Sequence, residues 1–293
     1  MTKVLITGAN SFIGKNFRRF SQYRDIDEVS LRNNCPEDID FSRYDVVLHL
    51  AAIVHKSGKI SESEYMRVNS DLCLRVAERA KASGINHFIF LSTIKVYGES
   101  VNKEVRNEES VCRPDDAYGR SKFEAESGLS KLEDEQFRVA IIRSPLIYGE
   151  GVKANMLSLI KLVHVFPVLP FGKLENTRNY IYIENLVGFI DRIIETNASG
   201  IYITMDEKAI STTLLVKYIS QSFGKKVYLF KLPEFIIGAG TCLVPGIFLR
   251  LFESNEFDNI KTLQILNYIP PYSTEEGIRR TVRSFLATKS SGK

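Results

Sequence analysis

Between Val4 and Asn16 the chain reads VLITGANSFIGKN, and no other stretch restricts the fold as strongly. An apolar run ends at Thr7, Gly8 follows at once, and Gly14 comes six positions later at the head of a segment with helical pattern, residues 14–23. Such a run reads as a buried strand, a tight turn that glycine permits, and a helix whose first N–H groups point at whatever fills the turn. A triphosphate-binding loop needs four residues between its glycines, then Lys, then Ser or Thr to hold magnesium. Here five residues separate Gly8 from Gly14 and Asn16 follows Lys15, so the spacing and the metal ligand both fail. A turn that cradles a dinucleotide pyrophosphate fits better, with a ligand-free strand-to-helix turn as the alternative that this segment alone leaves open.

The same alternation continues along the chain. DVVLHLAA (45–52), HFIFLST (87–93) and FRVAIIRS (137–144) read as apolar strands, and residues 62–82 and 118–132 as amphipathic helices. Strands separated by helices predict an α/β fold, a doubly wound parallel sheet of the Rossmann kind. Beyond Pro145 the pattern becomes irregular and proline-rich. Residues 1–146 are therefore expected to form the dinucleotide-binding unit, with residues 176–204 returning to it, and residues 147–293 mostly a substrate-binding cap.

A chain of 293 residues with 44% hydrophobic residues can bury a full core. Its net charge of +4 comes from interspersed lysines, arginines and acids, which favours a small anionic ligand over nucleic acid. Cys35, Cys73, Cys112 and Cys242 are scattered and the four histidines lack ligand spacing, so neither disulfides nor a metal is expected. Met1 runs straight into a strand with no basic and apolar leader, which predicts a cytoplasmic protein. Residues 235–249, FIIGAGTCLVPGIFL, carry no charge but fall short of the ~20 residues that span a bilayer. They read as buried core or as a subunit contact such as a homodimer would use, with membrane-surface association as the alternative.

A second block is YGRSK, Tyr118 to Lys122. Among 13 tyrosines, chance alone gives about one Y-x-x-x-K pair, so position carries the weight. Tyr118 opens a helix, Lys122 lies one turn later on the same face, and Thr93 stands at the C-terminal end of a parallel strand, where open α/β sheets collect ligands. A nearby ammonium favours the phenolate of a tyrosine and brings its proton affinity toward neutrality.

TGANSFIG (7–14), LSTIKVYG (91–98) and YGRSK together resemble the TGAxGxxG, SSxxVYG and YxxxK segments of extended short-chain dehydrogenases/reductases, the NAD-dependent epimerase/dehydratase family. Ser11 replaces the middle glycine of that fingerprint. The resemblance implies Thr93, Tyr118 and Lys122 as catalytic residues, with Lys122 also bonding the nicotinamide ribose. It places Gly8, Asn10, Ser11, Phe12, Ile13 and Gly14 around the cofactor pyrophosphate. Leu50, Ala51, Ala52 and Pro145 would lie along the same cofactor, and Asn69 would shape the active site. RSPLIYGEG (143–151) and TRNYIYIENL (177–186) look like the family's RPxxVYGPG and RDYIHVxDL segments and imply Asn155 and Arg178 as ligands of a UDP-sugar substrate, a task suited to a guanidinium.

The family's dehydratases carry an Asp-Glu pair after the catalytic Thr; Ile94 and Lys95 stand there, which disfavours dehydration. The expected function is 4-keto reduction of a UDP-4-keto-6-deoxy-N-acetylhexosamine for surface polysaccharide, because the segment from Lys153 to Val163 resembles small bacterial reductases of that kind. The alternative is a UDP-hexose or UDP-N-acetylhexosamine 4-epimerase, and a non-catalytic dinucleotide sensor is the remote third. If EVSLRNN (28–34) is the second strand, Arg32 falls near a 2'-phosphate with no acid at the strand end, which favours NADP over NAD; as the next strand it would put Arg32 at the adenine.

Overall fold

The computed structural model describes residues 2–32, 34–54, 60–99, 104–233 and 254–291. Its centre is a six-stranded parallel sheet: β1 (Val4–Thr7), β2 (Ile26–Val29), β3 (Val46–His49), β4 (His87–Thr93), β5 (Arg138–Ser144) and β9 (Gly200–Ile203), in the spatial order β2-β1-β3-β4-β5-β9. The strands are apolar on both faces because both faces are covered. Leu5, Val47, Phe88, Phe90, Val139 and Ile141 point to one side, where they pack with Val76, Ala77 and Ala80 of α3 (Leu72–Ala82) and Ala125 and Leu129 of α4 (Ala117–Leu132). Val4, Ile6, Leu48, Ile89 and Ile142 point to the other, against Phe17 of α1 (Phe12–Phe20) and Phe189, Ile190 and Ile193 of α6 (Ile183–Glu195). Alternation along each strand thus builds two cores separated by the sheet.

From β1 the chain moves outward to β2, then returns to place β3 on β1's other side. This reversal opens a crevice at the C-terminal ends of β1 and β3, the place where doubly wound sheets take ligands. Two elements differ from their sequence-based bounds. The second strand runs from Ile26 to Val29 instead of 28–34, because Gly8 N–H and Ala9 N–H both take the Val29 carbonyl and end the pairing there. Arg32 consequently lies in an exposed turn beyond the strand. The helix expected at 62–82 is broken into α2 (Glu62–Met66), a π turn over Arg67–Asp71, and α3. The side chain of Asn69, in that turn, accepts from Ile53 N–H at 2.7 Å and donates to the Ile53 carbonyl at 3.1 Å and to Ser121 Oγ at 3.0 Å. A side chain engaged with other segments inside a helix is a sufficient cause for a π turn.

After β5 the chain builds two small parallel pairs, β6 (Leu146–Tyr148) with β8 (Tyr180–Tyr182) and β7 (Val168–Leu169) with β10 (Tyr228–Leu229). Around them lie α5 (Ala154–Val165), α7 (Thr212–Ser222), α8 (Ile260–Leu266) and α9 (Thr274–Ser291). The buried carboxylate of Asp206 ties these pieces together, accepting from Tyr148 OH and Asn185 Nδ2 at 2.7 Å each and from Tyr182 N–H at 3.0 Å. The uncharged stretch 235–249 lies outside the described residues. No helix among the described residues is long and apolar enough to cross a membrane.

Candidate active site

The site begins at the turn after β1. Gly8 has φ +104°, and a Cβ there would sit 2.7 Å from Ala51 N, so the turn closes directly on the backbone of Leu50 and Ala51 at the end of β3. No other residue fits that combination of backbone angle and contact. Ser11 caps α1: its Oγ accepts from Gly14 N–H at 3.0 Å. Because the oxygen accepts that bond, the hydroxyl proton remains available to donate, which is compatible with an anion at that terminus. Phe12 and Ile13, the first two residues of α1, are partly buried against the core.

Asn10 has φ +62°, and its N–H donates to Glu28 Oε2 at 3.0 Å. Glu28 Oε1 is buried and finds no hydrogen-bond partner among the described residues. An acid therefore does stand near the end of the second strand, contrary to the expectation from sequence, and its unsatisfied oxygen suits a hydroxyl donor such as a ribose. Glu28 and Asn10 line a pocket of about 370 Å³ together with Lys15, Arg18 and Arg19. Arg19 is bonded to Glu150 at 2.6 Å. These features fit the adenosine half of a nicotinamide dinucleotide.

The second part of the site is the corner where β4 meets the start of α4. Thr93 is the last residue of β4, and its Oγ1 accepts from Lys95 N–H at 3.3 Å. Asp116 caps α4 through Gly119 N–H at 2.6 Å and pairs with the Lys95 ammonium. A Cβ on Gly119 would lie 2.7 Å from the Lys95 carbonyl oxygen, so glycine lets the first turn of α4 seat on the turn after Thr93. Tyr118 and Lys122 follow on that helix, and Lys122 Nζ donates to the Leu91 carbonyl at 2.8 Å, two residues before Thr93. The corner thus gathers Thr93, Tyr118 and Lys122 at the C-terminal edge of the sheet.

Electrostatics at this corner depart from the simple tyrosine–lysine expectation. Burial, then the charge of Asp116 and the neighbouring Tyr65, raise the Tyr118 phenol well above 10, so it is protonated at neutral pH. The Tyr65 ring sits edge-on to it at 6.2 Å. Burial lowers Lys122 to about 8, with Cys73 and Glu126 opposing. The ammonium also lies 4.3 Å from the Phe90 ring centroid. His49 is fully buried, bonded through Nδ1 to Thr7 Oγ1 at 2.8 Å, and lowered to about 3 by burial and by the charge of Lys122; it is neutral and joins β1 to β3.

The substrate-side residues are more dispersed. Pro145 is buried between β5 and β6, whereas Asn155 is exposed in the first turn of α5. Arg178 is half-buried, its backbone bridged in both directions to Ile210 at 3.0 and 2.9 Å. Leu50, Ala51 and Ala52 lie at the end of β3, facing the Gly8 turn as far as Ala51. Sequence reasoning missed Glu28, Tyr65 and the Lys95–Asp116 pair; the last had a local signal, since Asp116 stands where a helix N-cap belongs. Among the described residues no group of three or more His, Cys, Asp or Glu could hold a metal ion.

Residues 4–203 match the family described as NAD dependent epimerase/dehydratase. UDP-glucose 4-epimerase of Vibrio cholerae is 30% identical, across 97% of this chain and 95% of that protein. N-acetyl-alpha-D-glucosaminyl-diphospho-ditrans,octacis-undecaprenol 4-epimerase of Escherichia coli O157:H7 is 26% identical, across 96% and 94%. UDP-glucuronic acid 4-epimerase from Bacillus cereus, solved in complex with NAD, shares the fold with a TM-score of 0.76 at 20% identity, covering 98% of this chain and 99% of that one. Sheet order, glycine turn and a family match over 200 of 293 residues, 4 through 203, lead to one conclusion: the chain belongs to the NAD-dependent epimerase/dehydratase family.

Proposed function

We propose that this chain is an NAD-dependent enzyme that inverts C4 of a UDP-hexose or UDP-N-acetylhexosamine. The observation that carries the choice is Glu28. A carboxylate with one buried, unsatisfied oxygen accepts from ribose hydroxyls and repels a 2'-phosphate, which favours NAD over the NADP expected from Arg32. Two relatives aligned over nearly their whole length are 4-epimerases, which supports the same reading.

A bound nicotinamide supplies the hydride chemistry at C4. The chain's own residues do the rest. Gly8 and the start of α1 hold the pyrophosphate, and Glu28 the adenosine ribose. Tyr118, protonated at rest, would first release its proton to solvent; as the phenolate it would take the C4 hydroxyl proton when C4 is oxidised and return it to the C4 oxygen when C4 is reduced again, while Thr93 donates a hydrogen bond that fixes that oxygen. Lys122, still mostly charged at pH 7, favours the Tyr118 phenolate that accepts the C4 hydroxyl proton. Arg178 and Asn155 take the diphosphate end of the substrate. Lys95 stands where the family's dehydratases carry an acid, and it pairs with Asp116.

Reduction of a UDP-4-keto-6-deoxy-N-acetylhexosamine is the second reading, favoured by Lys15 and Arg18 in the Glu28 pocket, which supply positive charge for a 2'-phosphate. One experiment separates them. Purified protein is incubated with UDP-galactose and with UDP-N-acetylgalactosamine, without added cofactor, and the products are resolved by chromatography. Interconversion with no change in nicotinamide absorbance is expected. Stoichiometric NADPH oxidation with the 4-keto sugar, and no interconversion, would replace this reading with the reductase.

A further inference from the structure

We propose that the buried Glu126–Arg143 ion pair is a positioning device for catalysis, setting the spacing between Thr93 on the sheet and Tyr118 and Lys122 on α4. The proposal rests on the catalytic assignment made above. Both residues are only 3% exposed.

The connections run to both sides of Thr93. Ser92, the preceding residue, donates its hydroxyl to Glu126. Tyr97, which closes the 3₁₀ turn following Thr93, accepts from Arg143 Nη1 at 2.7 Å, and the guanidinium lies 4.7 Å from its ring centroid. Arg143 in turn holds Glu126 through Nη2 at 2.6 Å and Nε at 3.1 Å. It projects from β5 directly beside Ser92, its register partner. Glu126 is one helical turn beyond Lys122 and two beyond Tyr118 on the same helix, so the three share the face turned toward β4. Strand end, following turn and catalytic helix therefore all converge on one planar fork.

Stability alone does not call for an ion pair here. Exchanging a buried pair for apolar side chains of similar volume is often neutral or stabilising, whereas breaking one partner is strongly destabilising. What apolar packing lacks is direction: the guanidinium fork fixes angles as well as distance. A displacement of about 1 Å at the reacting atoms can cost about 100-fold in rate.

The test is the double variant Glu126→Leu with Arg143→Met, measured beside the wild type and Tyr118→Phe, using UDP-galactose, or the 4-keto sugar with NADPH if that is the substrate. The expected double variant is folded, with KM within about threefold of wild type and kcat lower by about 30- to 100-fold. A folded double variant with kcat within about threefold of wild type overturns the proposal, provided Tyr118→Phe has lost turnover. If Tyr118→Phe keeps its turnover, the catalytic assignment fails instead. Should the double variant not fold, Ser92→Ala and Tyr97→Phe each remove one bond to the pair. Each is then expected to lower kcat by about 3- to 10-fold at constant KM in a variant that is still fully folded at the assay temperature. Unchanged kcat in both would equally overturn the positioning role.

Discussion

Lys122 is expected to weaken the fold that carries it, and Lys122→Met measures by how much. Burial holds its ammonium at about 8, against an ordinary value of 10.5. That drop corresponds to about 3 kcal/mol, at about 1.36 kcal/mol per pKa unit. Below pH 8 both folded and unfolded chains carry the proton, and the folded chain bears the whole cost. Between about 8 and 10.5 the unfolded chain binds the proton and the folded chain does not, so stability rises with pH through this window. At pH 10 less than about 1 kcal/mol of the cost remains. Methionine escapes the charge penalty but leaves the Leu91 carbonyl without its donor, a loss of about 1–3 kcal/mol that does not depend on pH. Urea denaturation of wild type and variant, both stripped of cofactor, gives the difference at pH 7 and pH 10. The variant's relative stability should fall by about 2 to 3 kcal/mol between the two, the contributions of all other groups cancelling. A difference that stays constant from pH 7 to 10 would refute the depressed lysine.

Three further outcomes are expected. Glu28→Gln should weaken NAD binding by roughly 1 kcal/mol or more, read by titration calorimetry, and Glu28→Ala should improve the NADP-to-NAD affinity ratio; an unchanged ratio would detach Glu28 from the ribose. Gly119→Ala, ordinarily worth about 1 kcal/mol of extra helix stability, should instead destabilise the protein in thermal melts and lower kcat, because its Cβ meets the Lys95 carbonyl at 2.7 Å. Arg178→Lys should reduce UDP affinity, since an ammonium cannot reproduce a bidentate fork on a diphosphate; equal affinity in wild type and variant would remove Arg178 from the substrate.

What the sequence could reveal depended on how local the cause was. HFIFLST announced β4 to the residue and the helix carrying Tyr118 began within one position, since an apolar run and a helical pattern act over a few neighbours. The π turn at Arg67–Asp71 was hidden, because its cause is an amide bonded to Ile53 and Ser121, segments distant in sequence. Glu28 was missed for a similar reason. Pairing of Val4 with Ile26 moves the second strand two residues earlier than its own apolar pattern suggests, and this turns the acid toward Asn10. The raised phenol of Tyr118 was likewise out of reach, as it follows from burial and from Asp116, whereas the pattern Y-x-x-x-K points only to the lysine.

The sheet's last strand has a consequence for biosynthesis. Strand β5 ends at Ser144, and β9, which pairs with it from Ala140 to Arg143, begins only at Gly200. At about 5–20 residues per second, a ribosome leaves that edge open for several seconds after β5 emerges. The exposed edge carries Val139, Ala140, Ile141 and Ile142, an uncharged run in which all but Ala140 are β-branched, of the kind that recruits a second chain. The nascent protein is therefore most vulnerable to misassembly while residues 145–199 are being made, and any insertion into that interval lengthens the exposure.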